Sequence, residues 1–284
     1  MAMNPSRGSV PLLIPAVTVF MGLFFLPMAG LFLESLRLYT PGSIGSTANA
    51  PFTLANYTEL LTPSFAEFFF ETLRISLLAS LVGMLFAFPL AYWIIRRLSA
   101  RWRAIAVGFF VTLMFLSVLV RTYALELTFG AAGPLRPLLL SMGISPNSRF
   151  YIEILVGGGL LHYIVPMATL TLLGTIQNVD PRLVDAAQAL GAPGWKAHLS
   201  ITLPLCMRGL LAAFLFAFTF SISAFVIPMI LGKGRVLFIS NLIYNRFSEI
   251  ADYPSGAAIS MVLFFVALAI VYVTSRQVAK RWNS

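Results

Sequence analysis

Two histidines, one cysteine and ten acidic residues are the main stock of acid–base, nucleophilic and metal-ligating side chains in this 284-residue chain, and they are scattered. His162 and His198 lie far apart, Cys206 is alone, and no H-E-x-x-H, metal-ligand cluster or serine–histidine–acid set is present. The phosphate loop G-x-x-x-x-G-K-[ST] is missing too: Gly232 and Lys233 have Ile227 where the first glycine belongs and Gly234 where the hydroxyl belongs. These spacings predict no catalysis, no bound cofactor and no metal, and any nucleotide chemistry is expected on another chain.

One stretch has informative spacing, and its chemistry is mechanical. Residues 180–209 read DPRLVDAAQALGAPGWKAHLSITLPLCMRG. Asp180 is placed to cap a helix that starts at Pro181, since its carboxylate can accept from free amides and proline needs no donor there. Val184, Ala187 and Leu190 fall on one face of that helix, with Arg182, Asp185 and Gln188 on another. Gly191 suits the left-handed turn that ends it. Pro193 restarts a shorter helix through Trp195 and Leu199, before Leu203 and Pro204 lead onward. The expected shape is helix, tight turn, helix, lying along a surface.

The elements that position this stretch follow from composition. Apolar residues make up 59% of the chain and charged residues 10%, against roughly half and a quarter in soluble globular proteins. Six long runs lack Asp, Glu, Lys and Arg: 8–33, 75–95, 104–120, 154–179, 209–232 and 253–275. About 20 apolar residues cross a bilayer as a helix, so each run can span once. The expected architecture is all-α and polytopic, one transmembrane domain over 1–284. Its spans lie at about 10–33, 75–95, 104–120, 154–176, 209–231 and 254–275. A seventh charge-free stretch, 38–58, is rich in Pro, Gly, Ser, Thr and Asn and reads as a loop. The first run is too long for a signal-peptide core and lacks a cleavage site, so it is kept as a span. Short helical pieces are expected in the outer loops 34–70, 121–153 and 233–253. Six prolines in the spans and the run Gly157, Gly158, Gly159 are places for kinks and close packing, with Pro228 the one tied to a bend.

An even number of spans puts both termini on one side. On that side lie eleven basic residues, including Arg96, Arg97, Arg101 and Arg103, against only Asp180 and Asp185; the other side has eight of each sign. The positive-inside rule makes the first side cytoplasmic, together with the loop 177–208. The net charge of +9 then reflects topology and anionic lipid, not nucleic acid.

Asp185, Ala186, Ala187, Gly191, Ile201, Leu203 and Pro204 hold the places of E-A-A, three residues, G, nine residues, I-x-L-P. The stretch thereby resembles the EAA loop of binding-protein-dependent ABC importer permeases. Asp185 is one methylene shorter than the usual Glu, His198 stands where Phe is common, and Arg208 where Pro is common. RTYAL at 121–125, SAFVIPMILGKGRV at 223–236 and ISNLIYNRF with YPSGAA near 239–258 extend the likeness to the PotB-type permeases of spermidine and putrescine importers. The resemblance implies a type I importer permease fold in a bacterial inner membrane. It also implies a cytoplasmic ATPase dimer that uses ATP and Mg, a second and different permease chain, and a periplasmic solute-binding protein. Asp185, Ala186, Ala187, Leu190, Gly191, Ala192 and Trp195 would dock on the ATPase, the small residues by permitting close approach and Trp195 as an anchor.

The wider family also carries other small solutes, including amino-acid-like compounds, opines, phosphonates and iron. A self-powered secondary transporter is the rival from another class. Such carriers use ionisable groups within their spans, and here only His162 can titrate in the six runs. For the solute path the candidates are Thr219, Ser221, Ser223 and Phe225 near Pro228, with Tyr123 and Glu126 able to meet a cation. Packing and interface anchoring are the alternative roles for all six.

Overall fold

A computed structural model describes residues 10–47 and 49–282, with the side chains of 10–13, 16 and 277–282 left aside. Arg7 and both chain ends lie outside the described residues. No strand occurs among the described residues; one isolated bridge joins Arg37 and Phe52. The chain forms two compact units, residues 1–66 with 242–265, and residues 67–241 with 266–284.

In the first unit, α1 (Val10–Ser35) is apolar on all sides, and its most apolar stretch, within Val17–Ser35, has no buried residue. A helix apolar on all sides suits the interior of a bilayer. Its C-terminal carbonyls are served from the loop that follows. The buried Asn56, on α2 (Ala55–Glu59), donates to the carbonyls of Ser35 at 2.9 Å and Arg37 at 2.8 Å. Ser35 Oγ and the Tyr57 hydroxyl lie 2.7 Å apart. A short helical piece of the kind expected in the loop 34–70 is therefore a cap for the first helix.

The second unit is built on two long helices, α3 (Pro63–Arg97, most of it in this unit) and α7 (Arg149–Gln177). Between them come α4 (Ala100–Phe115), α5 (Val118–Phe129) and α6 (Arg136–Ser141). After α7 follow α8 (Arg182–Ala189), α9 (Gly194–Ala197), a π-helical turn (His198–Thr202), α10 (Leu203–Leu205), α11 (Met207–Ser223) and α12 (Val226–Leu231). Two short turns, α13 (Ile239–Tyr244) and a π-helical one (Asn245–Glu249), precede the long α14 (Tyr253–Trp282). The core runs along α7. Ile152, Val156, Leu160 and Ile164 face Ile75, Ala79, Ala217 and Leu231, and lower down Ala168, Leu172 and Ile176 face Ala87, Ala91, Cys206 and Ala213. Small residues set the spacing. A Cβ at Gly83 would collide with Ile164, and one at Gly209 with Thr175, so these backbones approach as closely as helices in lipid do.

Among the described residues four helices are long and apolar enough to cross a bilayer unbroken, and the number reaches six if two bent pairs, α4 with α5 and Gly194–Leu205 with α11, each count as one span. The bends are where structure and expectation part. The run 104–120 is not one helix. It is α4, ending at Phe115, and α5, turned by 93° across the extended residues Leu116 and Ser117. Neither residue is a proline or glycine, so nothing local announces the turn.

The run 209–231 is also broken, between Ser223 and Val226. Here the cause is local. Pro228 has no amide to give the carbonyl of Ala224, four residues back. Ser240 Oγ serves that carbonyl instead at 2.6 Å, and Asn241 Nδ2 donates to Phe225 O at 3.1 Å. The expected bend at Pro228 thus falls one turn earlier, and two side chains from a later segment hold it open.

Candidate functional site

The segment 180–205 takes the expected form, for traceable reasons. Asp180 Oδ1 accepts from the Arg182 amide at 2.9 Å, which starts α8. At its end the Gly191 amide donates to Gln188 O at 2.9 Å and the Ala192 amide to Ala187 O at 3.1 Å. This pair of bonds is the Schellman arrangement, and it requires the left-handed backbone that Gly191 adopts at φ +92°. Pro193 then caps the second helix from an extended conformation. That helix runs from Gly194 to Leu205 and widens to π geometry at His198–Thr202, just where Pro204 leaves Ser200 O without an amide.

The surface of this hairpin is unusual for a polar loop. Leu190 is 90% exposed and Trp195 68%, and Asp185, Ala186 and Gly191 are exposed beside them, while Ala187 and Ala192 are half-buried. Leu190 therefore leaves the face of Val184, which is buried. The Asp185 carboxylate has no hydrogen-bond partner among the described residues. A Cβ on Gly191 would meet nothing within 4 Å in this chain. The inner side, in contrast, is anchored. Ala197, Thr202 and Cys206 are buried, His198 meets the Tyr92 ring edge-on at 4.9 Å, and His198 Nδ1 lies 3.2 Å from Thr202 Oγ1. Arg96, at the end of α3, donates to Ile176 O at 2.8 Å and also to Val179 O. One side chain thus ties the end of α3 to the end of α7 and the entry of the loop. Force applied to the exposed knobs would reach three helices, α3, α7 and α11.

The six path candidates lie on α5, on α11 and in the break that follows α11. Tyr123 is half exposed on α5. Glu126, one turn on, is held in an ion pair with Lys233 at 2.9 Å, so its charge is matched within the chain. Lys233 itself takes a left-handed backbone at φ 50°, in a turn where Gly232 leaves no room for a Cβ. Ser221 is buried and turns its hydroxyl to Ala217 O at 2.8 Å, and Ser223 turns to Thr219 O at 2.8 Å. Thr219 and Ser223 are exposed, and Phe225 sits in the break after α11.

The residue that reading the sequence missed is Arg121. It counts there as an outer-loop charge, yet it is buried on α5 with its guanidinium 5.1 Å from the centroid of Tyr163, which stacks on Phe220 at 3.8 Å. The only available signal is its position: the first charge after a charge-free run, inside the apolar segment RTYAL. At the far ends of α3 and α7, Arg149 pairs with Glu71 at 2.9 Å and Arg74 with Glu153 at 2.7 Å, fastening the two helices again.

Residues 79–282 match the family described as "Binding-protein-dependent transport system inner membrane component". The chain is similar to the spermidine/putrescine transport system permease protein PotB of Haemophilus influenzae, 29% identical over 228 residues, 80% of this chain and 79% of that one. It is 30% identical to PotB of Escherichia coli K12 over 217 residues, 76% of this chain and 78% of the relative. The inner membrane ABC transporter permease protein YdcU of Escherichia coli is 24% identical over 95% of this chain and 90% of its own. Among solved structures, a chain of a bacterial ABC transporter involved in the import of the acidic polysaccharide alginate superposes with a TM-score of 0.71 at 18% identity. That match covers 95% of this chain and 94% of the other.

Proposed function

Because this chain belongs to the family of binding-protein-dependent transport system inner membrane components, we propose that the solute it passes is a polyamine, spermidine or putrescine, handed over by a periplasmic binding protein. The chain is a membrane-spanning, non-catalytic permease subunit of an ABC importer for a small solute. The observation that carries the polyamine reading is its likeness to the PotB permeases over more than three-quarters of its length. The second permease is a different chain, and an ATPase dimer supplies ATP and Mg chemistry from the cytoplasm. Both termini and the loop 177–208 face that side, and lipid surrounds α1.

In this mechanism the hairpin 180–205 is the coupling element. Leu190 and Trp195 insert in a groove of the ATPase, with Asp185 pairing at its edge and Ala186, Ala187, Gly191 and Ala192 allowing close approach. Closure of the ATPase dimer draws the hairpin, and Arg96 and the His198–Tyr92 contact pass the displacement to the helix ends. The helix Gly194–Leu205, bent by 73° from α11, acts as the arm that tilts α11 between two arrangements. The test is uptake of labelled spermidine and putrescine by vesicles holding the assembled importer. Uptake is expected only with ATP inside and the binding protein outside. Import of an opine, phosphonate, amino-acid-like compound or iron in place of polyamines would overturn the solute assignment. Uptake by this chain alone under a proton gradient would overturn the coupling.

A further inference from the structure

We propose that the chamber beside Arg121 is a binding site for one small monatomic anion, chloride in the cell, that neutralises the buried guanidinium. Arg121 is 6% exposed, and its Nε and both terminal nitrogens are closed off and have no hydrogen-bond partner among the described residues. Among the described residues the compensation in contact is the face of Tyr163, and an aromatic face offers far less than water or a carboxylate. The nearest acid along the same helix, Glu126, gives one oxygen to Lys233, and its other oxygen has no hydrogen-bond partner, so the two charges on α5 do not meet. A buried charge left alone is among the most destabilising arrangements a protein can hold. A counter-charge is therefore missing at this point.

The chamber decides which kind. It measures ≈ 10 Å³, about the room taken by one water, so among anions the smallest need the least outward shift of its walls. Its walls are Val118 and Leu125 of α5, Gly159 of α7 and Ile227 of α12, all apolar, with Arg121, His162 and Tyr163 as the ionisable groups and Thr122 beside them. The Thr122 hydroxyl is already committed to Val118 O at 2.7 Å. The lining thus presents N–H groups, hydrocarbon and the Tyr163 side chain, and no carboxylate. A water would satisfy part of this but leave the charge in place. A halide accepts from every N–H that faces it and cancels the charge, and apolar walls strengthen that attraction. Gly159 lets α7 pack closely at this wall, since a Cβ there would strike Ile227 and Leu231 of α12.

This inference does not depend on which solute is carried. It is tested on the purified importer complex, in chloride, in bromide and in gluconate at equal ionic strength. Bromide is expected to give an anomalous-scattering peak beside the Arg121 guanidinium. The unfolding temperature is expected to be about 2–4 °C higher in either halide than in gluconate. Arg121→Gln should abolish that difference and Arg121→Lys should keep part of it. The proposal is overturned by a wild-type complex indifferent to the anion, by a bromide map empty at this place, or by a halide effect that survives in Arg121→Gln. Where Arg121→Gln does not assemble, the wild-type anion comparison and the bromide map decide alone.

Discussion

At Gly191 a single missing Cβ serves two ends. The φ of +92° excludes most side chains by roughly 1–2 kcal/mol, and the open space outside the glycine is where a neighbouring protein would lie. Gly191→Val should therefore insert in the membrane at wild-type level but lose its ATPase and at least about tenfold of its import, 1.4 kcal/mol being a factor of ten. Gly191→Asn, which tolerates the left-handed region, should recover the turn and only part of the docking. Asp185→Ala is expected to cost a few-fold at most, because its carboxylate supports nothing within the chain. Copurification of the ATPase, insertion and uptake, measured side by side, separate these outcomes; unchanged uptake in Gly191→Val would remove the hairpin from the mechanism. Residues such as Asp180, Gly191 and Pro193 were legible beforehand because their signals are local, each needing only its own backbone and its near neighbours. Arg121 was not. Its burial is decided by Tyr163 and Phe220, far away in the chain, and a charge next to an apolar run looks the same whether it turns outward or in.

The same division holds for elements. Helix α11 and its continuation α12 were read as one run with a bend at Pro228, and the proline does cause the break. What could not be read was the response of Ser240 and Asn241, which lie beyond the turn around Lys233. Asn241 is buried, donates to Phe225 O and accepts from the Phe238 amide at 3.1 Å. Asn241→Leu keeps the volume and strands the Phe238 amide, at about 1–3 kcal/mol, while Phe225 O keeps its bond from the Met229 amide at 3.1 Å. Its unfolding temperature should fall and its import should drop while the ATPase stays bound. A variant with wild-type stability and uptake would show that the break is held by other means. The turn between α4 and α5 had no such herald. Leu116 and Ser117 are ordinary residues, and the 93° change of direction comes with the burial of Arg121 and Thr122, an effect of packing that no periodicity in 104–120 records.

For the molecule as a whole, the helical class, several membrane crossings and the family were all within reach of composition and one motif, since lipid leaves few alternatives for so apolar a chain. Orientation rests on charge: eleven basic residues on one side against eight on the other, with two acids against eight. Cysteines introduced at Lys196 and Met142, both exposed, should label from opposite sides of the membrane, and Cys206, fully buried, should give little background. Labelling of both from outside would reverse the topology. The side chains that hold open the break after α11 have one more consequence, for exchange of segments between relatives. The carbonyls of Ala224 and Phe225 and the groups that serve them, Ser240 and Asn241, are each 16 residues apart and behave as one heritable cassette. A crossover outside 224–241 transmits donor and acceptor together. A crossover inside it yields a chimaera whose acceptor carbonyls come from one parent and whose side-chain donors must match from another, so the joints that evolution or an engineer can use in this part of the chain lie at the cassette's two ends.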